Sequence, residues 1–372
     1  MYVEDFIKIL AVDFYTGVPD SLLSPLCNYL YNTYGVEGRK HIVAANEGNA
    51  AAIAAGYHLA TGKIPAVYMQ NSGEGNIINP MASLLNEKVY AIPMIFIIGW
   101  RGEPGTKDEP QHMVQGEITL NLLESMGIEY CIVDKNTSAD DVALAMEKFM
   151  HCLQAGKCVA FVVRKGALTA KDTMQYANRY SLSREEVIRS VAHAADTDVI
   201  VATTGKAGRE LYEIREVLGQ GHQQDFLTVG SMGYCSSLAL GIALQKTQKK
   251  VWCIDGDGAM LMHMGVLAII GDKKPGNLVH VVINNGAHES VGGMPTAAKA
   301  LDLSKIACAC GYPRVVVAAT KADLEKALQM AKKSTELIFI EVKCSLESRA
   351  GLGRPRENPQ ENKDYFMKYL CT

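Results

Sequence analysis

The sequence predicts an α/β protein made of two doubly wound parallel sheets, and three observations carry that reading. Short β-branched runs alternate with amphipathic helical stretches along the whole chain. The runs are continuously apolar rather than alternating, as expected of parallel strands buried on both faces. The 372 residues suffice for about two domains, each able to bury its own core.

Taken in order, the first set of strands is HIVA (41–44), IPAVYM (64–69), IPMIFIIG (92–99), IEYCIV (128–133) and CVAFVV (158–163). The second set is DVIVAT (198–203), FLTV (226–229), KVWCID (250–255), LVHVVIN (278–284), RVVVAA (314–319) and LIFIEV (337–342). Helical patterns lie between them at 48–60, 138–153 and 321–333. Ser138 with its following Asp pair, and Asp323 in a first turn, are helix-start signals. The stretch 166–183 is polar, lacks strand character and reads as a linker. Ser183 with Glu186 three residues on then forms a capping box. The expected division is a domain over 1–165, the linker 166–183 and a second domain over 184–372, without sequence repeats.

Lys and Arg number 37 against 40 Asp and Glu, a net charge of −3, which argues against an electrostatic nucleic-acid binder. No apolar run approaches the roughly 18 residues of a membrane helix. The opening MYVEDFIKIL has Glu4 and Asp5 where a signal peptide would be positive, so a cytoplasmic protein is expected. The ten cysteines include no CxxC pair and fall mostly in apolar stretches, so buried, reduced thiols are expected rather than disulfides or zinc ligands. GYHLATGKI (56–64) has the wrong spacing for a phosphate loop, no GxGxxG follows a strand, and neither HExxH nor GxSxG occurs.

The strongest motif lies in VWCIDGDGAMLMHMG, where a buried strand turns at Gly256-Asp257-Gly258 into a helix. The glycines let the backbone approach a ligand, and Asp257 points into the crevice where parallel sheets bind ligands. After 25 intervening residues the next strand ends at Asn284-Asn285. A carboxylate, an amide oxygen and a backbone carbonyl suit Mg²⁺ that also holds diphosphate oxygens. A tight turn followed by an Asn-rich turn is the bland alternative, and the pairing of both motifs on successive strands disfavours it.

GDG, this spacing and NN resemble the thiamine-diphosphate enzymes. That resemblance implies the thiamine-diphosphate-binding fold without a middle domain, with a pyrimidine half at 1–165 and a diphosphate half at 184–372. It implies thiamine diphosphate and Mg²⁺ as cofactors, with Asp257, Asn285 and the carbonyl of Ala287 as metal ligands. Gly205, Ser231, Met232, Gly256, Gly258, Ala259 and His288 would line the cofactor, with Met232 as its apolar prop, although any lone Met is as readily a core residue. His288, Glu289 and Ser290 follow the metal loop and would line the pocket. The family's cofactor-activating acid matches Glu47, at the turn before the Ala-rich helix of ANEGNAAAIAAGYHLATG. A first-turn acid favoured by the helix dipole is its alternative. Family sites are built from two chains, so a homo-oligomer of at least two subunits with a shared site is expected.

Asp20, in YTGVPDSLL, stands where related decarboxylases have an acid that manages protons, and a helix cap is its alternative. The loop GWRGEPGTKDEPQHMVQG offers Arg101, Lys107 and Gln111 as substrate-facing groups and His112 as proton donor, although its balanced acids also suit a charged surface loop. Lys206, in TTGKAGREL, is a further candidate cation. His263 reads as an amphipathic-helix histidine, and the tail with Arg349, Arg354 and Arg356 as solvated unless its LGRP approaches the site. The loops 101–112 and 284–296 resemble a compact phosphonate/sulfonate subgroup of 2-oxo acid decarboxylases. The single fused chain and the GEPGTKDEPQH loop favour 3-phosphonopyruvate, giving phosphonoacetaldehyde and CO2 for phosphonate biosynthesis. Sulfopyruvate is the alternative substrate, and an acetolactate-type carboligase or a non-catalytic cofactor-binding module are the alternative functions.

Overall fold

The computed structural model describes the chain except for Glu37, Gln175, Ser290 and Val291. It separates into two compact units, one of Met1–Tyr176 with His288–Met294, the other of Ala177–Ala287 with Pro295–Thr372. No helix among the described residues is long and apolar enough to cross a membrane. All ten cysteines are free thiols.

In the first unit the chain runs α1 (Val3–Leu10), β1 (Tyr15–Gly17), α2 (Ser24–Tyr34), β2 (His41–Val43), α3 (Glu47–Thr61), β3 (Ala66–Gln70), α4 (Glu74–Asn79), β4 (Ile95–Gly99), α5 (Pro110–Ser125), β5 (Glu129–Val133), α6 (Ala139–Gln154) and β6 (Val159–Val163). The sheet order is β2-β1-β3-β4-β6-β5, and every pair is parallel. One face packs Phe6, Leu26, Tyr68, Phe149 and Phe161, and the other packs Ala50, Ala54, Ile77, Phe96 and Leu123. Covering both faces explains the unbroken apolar strands. Ala167, Leu168 and Met174 also join the first core, so the segment after β6 is anchored to this unit.

In the second unit follow α7 (Arg184–Ala195), β7 (Val199–Ala202), α8 (Lys206–Val217), β8 (Asp225–Leu227), α9 (Cys235–Gln245), β9 (Val251–Gly256), α10 (Asp257–Met262), α11 (Val266–Lys273) and β10 (Leu278–Asn284). The two-residue strands β11 (Ala287–His288) and β12 (Met294–Pro295) come next, at the two ends of the His288–Met294 segment that groups with the first unit. The chain ends with α12 (Leu303–Ala309), β13 (Arg314–Ala318), α13 (Lys321–Lys333), β14 (Ile338–Lys343) and α14 (Pro359–Cys371). Its large sheet is ordered β13-β14-β10-β9-β7-β8. Read from the other edge, this repeats the strand order of the first unit without any repeat in sequence. Each sheet therefore has a switch point, between β1 and β3 and between β7 and β9, where the connections diverge and leave a crevice outside the strand ends.

The expected helix starts form as capping boxes, at Ser138 with Asp141, Ser183 with Glu186 and Thr320 with Asp323. The tail, expected to be solvated unless its LGRP approaches the site, ends in a helix that packs on the second core. Asn358 caps α14 through the N–H groups of Gln360 and Glu361, Pro359 occupies the first helical position, and Phe366 is buried in the second core.

Candidate active site

In the first unit, Glu47 opens α3 and is 4% exposed. Asn76 on α4 donates a 2.6 Å hydrogen bond to its Oε2. Burial pushes the Glu47 carboxyl above its ordinary pKa, and the Asn76 bond opposes that shift. Gly73 makes room for the side chain, since a Cβ there would stand 2.4 Å from Glu47 Cγ. A surface first-turn acid would need neither this burial nor this cleft.

Asp20 follows β1 at the switch point and is 1% exposed. Its Oδ2 accepts from the N–H groups of Leu22 and Leu23, so it caps the turn into α2, while its Oδ1 is buried without a hydrogen-bond partner. Burial raises its carboxyl to about 6, against the pull of Arg101 and the backbone N–H groups. A Cβ at Gly99, the end of β4, would lie 2.3 Å from Asp20 Oδ2, so only glycine leaves room there.

Arg101, Asp108 and His112 form one cluster. The Arg101 fork grips Asp108 through Nε at 2.8 Å and Nη2 at 2.6 Å, and its Nη1 donates to Ser21 Oγ at 3.0 Å. His112 Nδ1 lies 2.9 Å from Asp108 Oδ1. Burial pushes the Asp108 carboxyl up, but Arg101, His112 and the N–H groups of Glu109 and Gly102 outweigh it and hold the group well below the usual carboxylate range. Arg101 is therefore committed to an internal pair, and its positive charge is balanced. Lys107 is exposed and Gln111 half-buried on the same loop and helix. Asp108, by sequence only one of the loop's balancing acids, is the centre of this cluster. The Arg-x₆-Asp-x₃-His spacing was the available signal.

A second network supports the same end of the sheet. Asn71 exchanges two bonds with the Arg101 backbone, donating to its O at 2.9 Å and accepting from its N–H at 3.1 Å. Gln115 donates to Asn71 O and to Glu74 Oε2. Burial lifts the Glu74 carboxyl to about 8 despite Gln115 and Thr119.

In the second unit, the turns after β7, β9 and β10 lie at the carboxyl edge of neighbouring strands. Asp257 is 3% exposed, and burial raises its carboxyl to about 6 although Thr296 and the N–H groups of Gly258 and Asn285 bond to it. Thr296 Oγ1 donates to Asp257 Oδ2 at 2.5 Å, while the Thr296 N–H donates to Gly286 O at 2.9 Å. Thr296 thus links both halves of the GDG…NN motif, a role that its place in the MPT stretch did not disclose. Asn285 Oδ1 accepts from the Ala287 N–H at 3.0 Å, which folds the loop so that residues 285 and 287 are held together. Asn284 instead points to Glu341 at 2.7 Å and braces the strand end.

Gly256 is partly exposed, and nothing lies within 4 Å of where its Cβ would be. Gly258 and Ala259 are buried at the start of α10. The Gly230 N–H donates to Thr204 Oγ1 at 3.0 Å, tying the turn that holds Gly205 to the turn that holds Ser231 and Met232. A Cβ at Gly233 would strike His263, Met262 and the Ala259 carbonyl, so this turn packs directly on α10 and the residue after it. Gly205 and Ser231 are exposed, and Met232 is half-buried. His263, expected on a helix, follows the last residue of α10, and its ring lies 4.2 Å from that of Tyr234, tilted by 30°. Lys206 Nζ donates to Ser348 Oγ at 2.7 Å. In the tail, Arg349 pairs with Glu185 and Glu213, and Arg356 with Glu216. His288 and Glu289 are half-buried, whereas Ser290 lies outside the described residues.

The donors fit a hard divalent cation and a diphosphate: a buried carboxylate, an amide oxygen and a carbonyl beside an open glycine turn. Comparisons with known proteins point to a diphosphate cofactor. Residues 2–133 match the thiamine pyrophosphate enzyme N-terminal TPP binding domain, and residues 203–342 match the C-terminal TPP binding domain. The chain is 35% identical to a phosphonopyruvate decarboxylase of Streptomyces viridochromogenes, over 98% of this chain and 92% of that one. It is 34% identical to a phosphonopyruvate decarboxylase of Streptomyces hygroscopicus, over 97% and 91%. It is 29% identical to a sulfopyruvate decarboxylase of Methanosarcina acetivorans, over 90% of each. The chain belongs to the thiamine pyrophosphate enzymes, as a thiamine-diphosphate-dependent 2-oxo acid decarboxylase of the phosphonopyruvate decarboxylase-like branch, related to sulfopyruvate decarboxylase.

Proposed function

We propose that this decarboxylase acts on 3-phosphonopyruvate, releasing CO2 and phosphonoacetaldehyde, with Mg²⁺ as its metal. The observation that carries the proposal is the near-full-length likeness to two phosphonopyruvate decarboxylases, at 35% and 34% identity against 29% for the sulfopyruvate enzyme. The fused chain does not separate the two substrates, because the Methanosarcina sulfopyruvate decarboxylase is also matched along 90% of its length.

When bound, thiamine diphosphate supplies the electron sink for the pair left behind by CO2. Asp257, the Asn285 amide oxygen and the Ala287 carbonyl would hold Mg²⁺, and the open Gly256 turn would admit the diphosphate oxygens. Glu47 would exchange a proton with the aminopyrimidine, a role suited to a carboxyl kept above its usual range in a closed cleft. Asp20 and His112 would hold or deliver the proton taken up by the product. A phosphonate adds a dianion beside the carboxylate, and cations must answer it. Lys107 and Lys206 would supply them directly, with Gln111 as hydrogen-bond donor. Arg101 would contribute mainly through its pair with Asp108. The proposed site is shared between at least two identical chains. Exposed apolar pairs one turn apart, Val114 with Ile118 on α5 and Tyr234 with Leu238 at the start of α9, suit such an assembly.

The test is steady-state kcat/KM for phosphonopyruvate, sulfopyruvate and pyruvate with Mg²⁺ and thiamine diphosphate, trapping the aldehyde with a reductase. Phosphonopyruvate is expected to lead. A tenfold preference for sulfopyruvate, about 1.4 kcal/mol in the transition state, would reassign the substrate and leave the chemistry intact. Accumulation of acetolactate from pyruvate would make the enzyme a carboligase.

A further inference from the structure

Beneath the Gly256–Gly258 turn lies a line of buried polar side chains that the proposed reaction does not use. Asp255 and His280 are fully buried, and Tyr312 is 4% exposed. On the paired strands β9 and β10, His280 stands opposite Cys253, two residues before Asp255, so all three project from one face. Asp255 Oδ1 accepts the N–H of Gly256 at 2.9 Å. Its Oδ2 faces His280 Nε2 at 3.6 Å, and neither atom has a hydrogen-bond partner. The other ring nitrogen of His280 meets the Tyr312 hydroxyl at 3.1 Å, and both rings pack edge-on against Phe339.

An apolar residue would fill such a position without the desolvation cost of a carboxylate. What an apolar residue cannot offer is the acceptor for the Gly256 N–H, and Gly256 immediately precedes Asp257. We propose that Asp255, aimed by His280 and Tyr312, is a positioning residue that fixes the turn on which Asp257 meets the metal and the diphosphate. This rests on the reading of Asp257 as a Mg²⁺ ligand. Cys253 Sγ lies within 4.8 Å of the Asp255 and His280 atoms, so the trio also has the chemistry of a transition-metal site. Among the described residues it offers three donors, where a closed structural zinc site takes four, and the positioning role is the one the geometry carries.

The experiment titrates Mg²⁺ and thiamine diphosphate into dialysed protein by calorimetry, alongside the melting temperature of the unliganded protein. Asp255→Val should lose about 10- to 100-fold in affinity, the usual cost of removing an outer-shell partner, with an equal or higher melting temperature. Asp255→Asn keeps an oxygen for Gly256 and offers its amide N–H to His280, so it should stay within about threefold of wild type, and Tyr312→Phe should lose about three- to tenfold. Wild-type affinity in Asp255→Val overturns the proposal. So does a parallel fall of affinity and melting temperature across all three variants, which marks a purely structural role. Stoichiometric zinc in the purified protein that is lost in Cys253→Ser also overturns it. If Asp255→Val does not fold, Tyr312→Phe decides, and unchanged affinity there refutes the proposal. Asp257→Ala serves as the control. If it binds like wild type, the Mg²⁺ reading itself fails. If it loses binding while Asp255→Val does not, only the present inference fails.

Discussion

The Glu47 side chain occupies the space in which a side chain at Gly73 would begin, with Glu47 Cγ 2.4 Å and Glu47 Oε1 2.5 Å from that point. Two segments separated in sequence are thereby fitted to each other, and Asn76 closes the arrangement by bonding to Glu47 Oε2.

The fit makes Gly73 as sensitive as the acid it shelters. Glu47→Gln keeps the shape of the side chain and removes the exchangeable proton. It is expected to bind thiamine diphosphate within a few-fold of wild type and to lose about 10²- to 10⁴-fold in kcat, the usual contribution of a positioned acid or base. Gly73→Ala is expected to displace Glu47 and lower kcat by at least tenfold in a folded protein. Calorimetric binding with single-turnover kinetics checks both. Undiminished kcat in Glu47→Gln removes the residue from the chemistry.

Chelation tests the other unit. Asp257 combines deep burial with a carboxyl raised to about 6, and its ionised form is the one that binds metal. Protons and Mg²⁺ therefore compete, and apparent Mg²⁺ affinity should fall as the pH drops below about 6. EDTA treatment should release thiamine diphosphate, and added Mg²⁺ should restore it. Asp257→Ala should bind neither, since the diphosphate loses its largest countercharge along with the metal. Full activity after dialysis against EDTA, with no metal or cofactor added back, contradicts this account.

Both sheets were legible because their strands are apolar on two faces, and the capping boxes were legible because three-residue spacing is local. The strand β1 is only Tyr15–Gly17, too short for any periodicity to mark, although the turn after it was readable. The helix α14 was hidden by the charged composition of its segment, yet Asn358, Pro359 and Glu361 carried its start signal. The GDG turn and Asn285 were readable from spacing along adjacent strands. Asn76, Thr296 and the Asp108 grip on Arg101 were not. Asn76 and Thr296 depend on chain folding back over 29 and 39 residues, which no pattern within one segment encodes, whereas the Asp108 grip lies within one loop whose Arg-x₆-Asp-x₃-His spacing resembles any balanced run of charges.

Glu74 gives a pH dependence of stability that is separate from catalysis. Burial raises its carboxyl from the ordinary value of 4.5 to about 8. Between these limits the folded chain holds a proton that the unfolded chain has released, so stability falls as pH rises. The contribution is complete below about 4.5 and gone above about 8, with a slope of at most about 1.4 kcal/mol per pH unit between. Glu74→Gln is neutral in both states and keeps the shape. Its melting temperature relative to wild type should climb from pH 5 to pH 8 and level off beyond. A difference that stays flat over this range shows that Glu74 is ionised in the folded protein.

The proposed assembly makes a quantitative prediction, because Glu47 and Asp257 belong to different units of the chain. If each site takes Glu47 from one chain and Asp257 from another, a dimer of one Glu47→Gln chain with one Asp257→Ala chain contains one doubly damaged site and one intact site. Random reassociation of equal amounts makes about half of the dimers mixed, so about a quarter of the wild-type activity should return from two nearly inactive parents. If each site is built within one chain, no mixture contains an intact site and activity stays at the parental level. Co-expression with two affinity tags isolates the mixed dimer, whose expected activity is about half that of wild type on the same counting. Sedimentation of the active species gives the independent check, and an active monomer refutes the shared site.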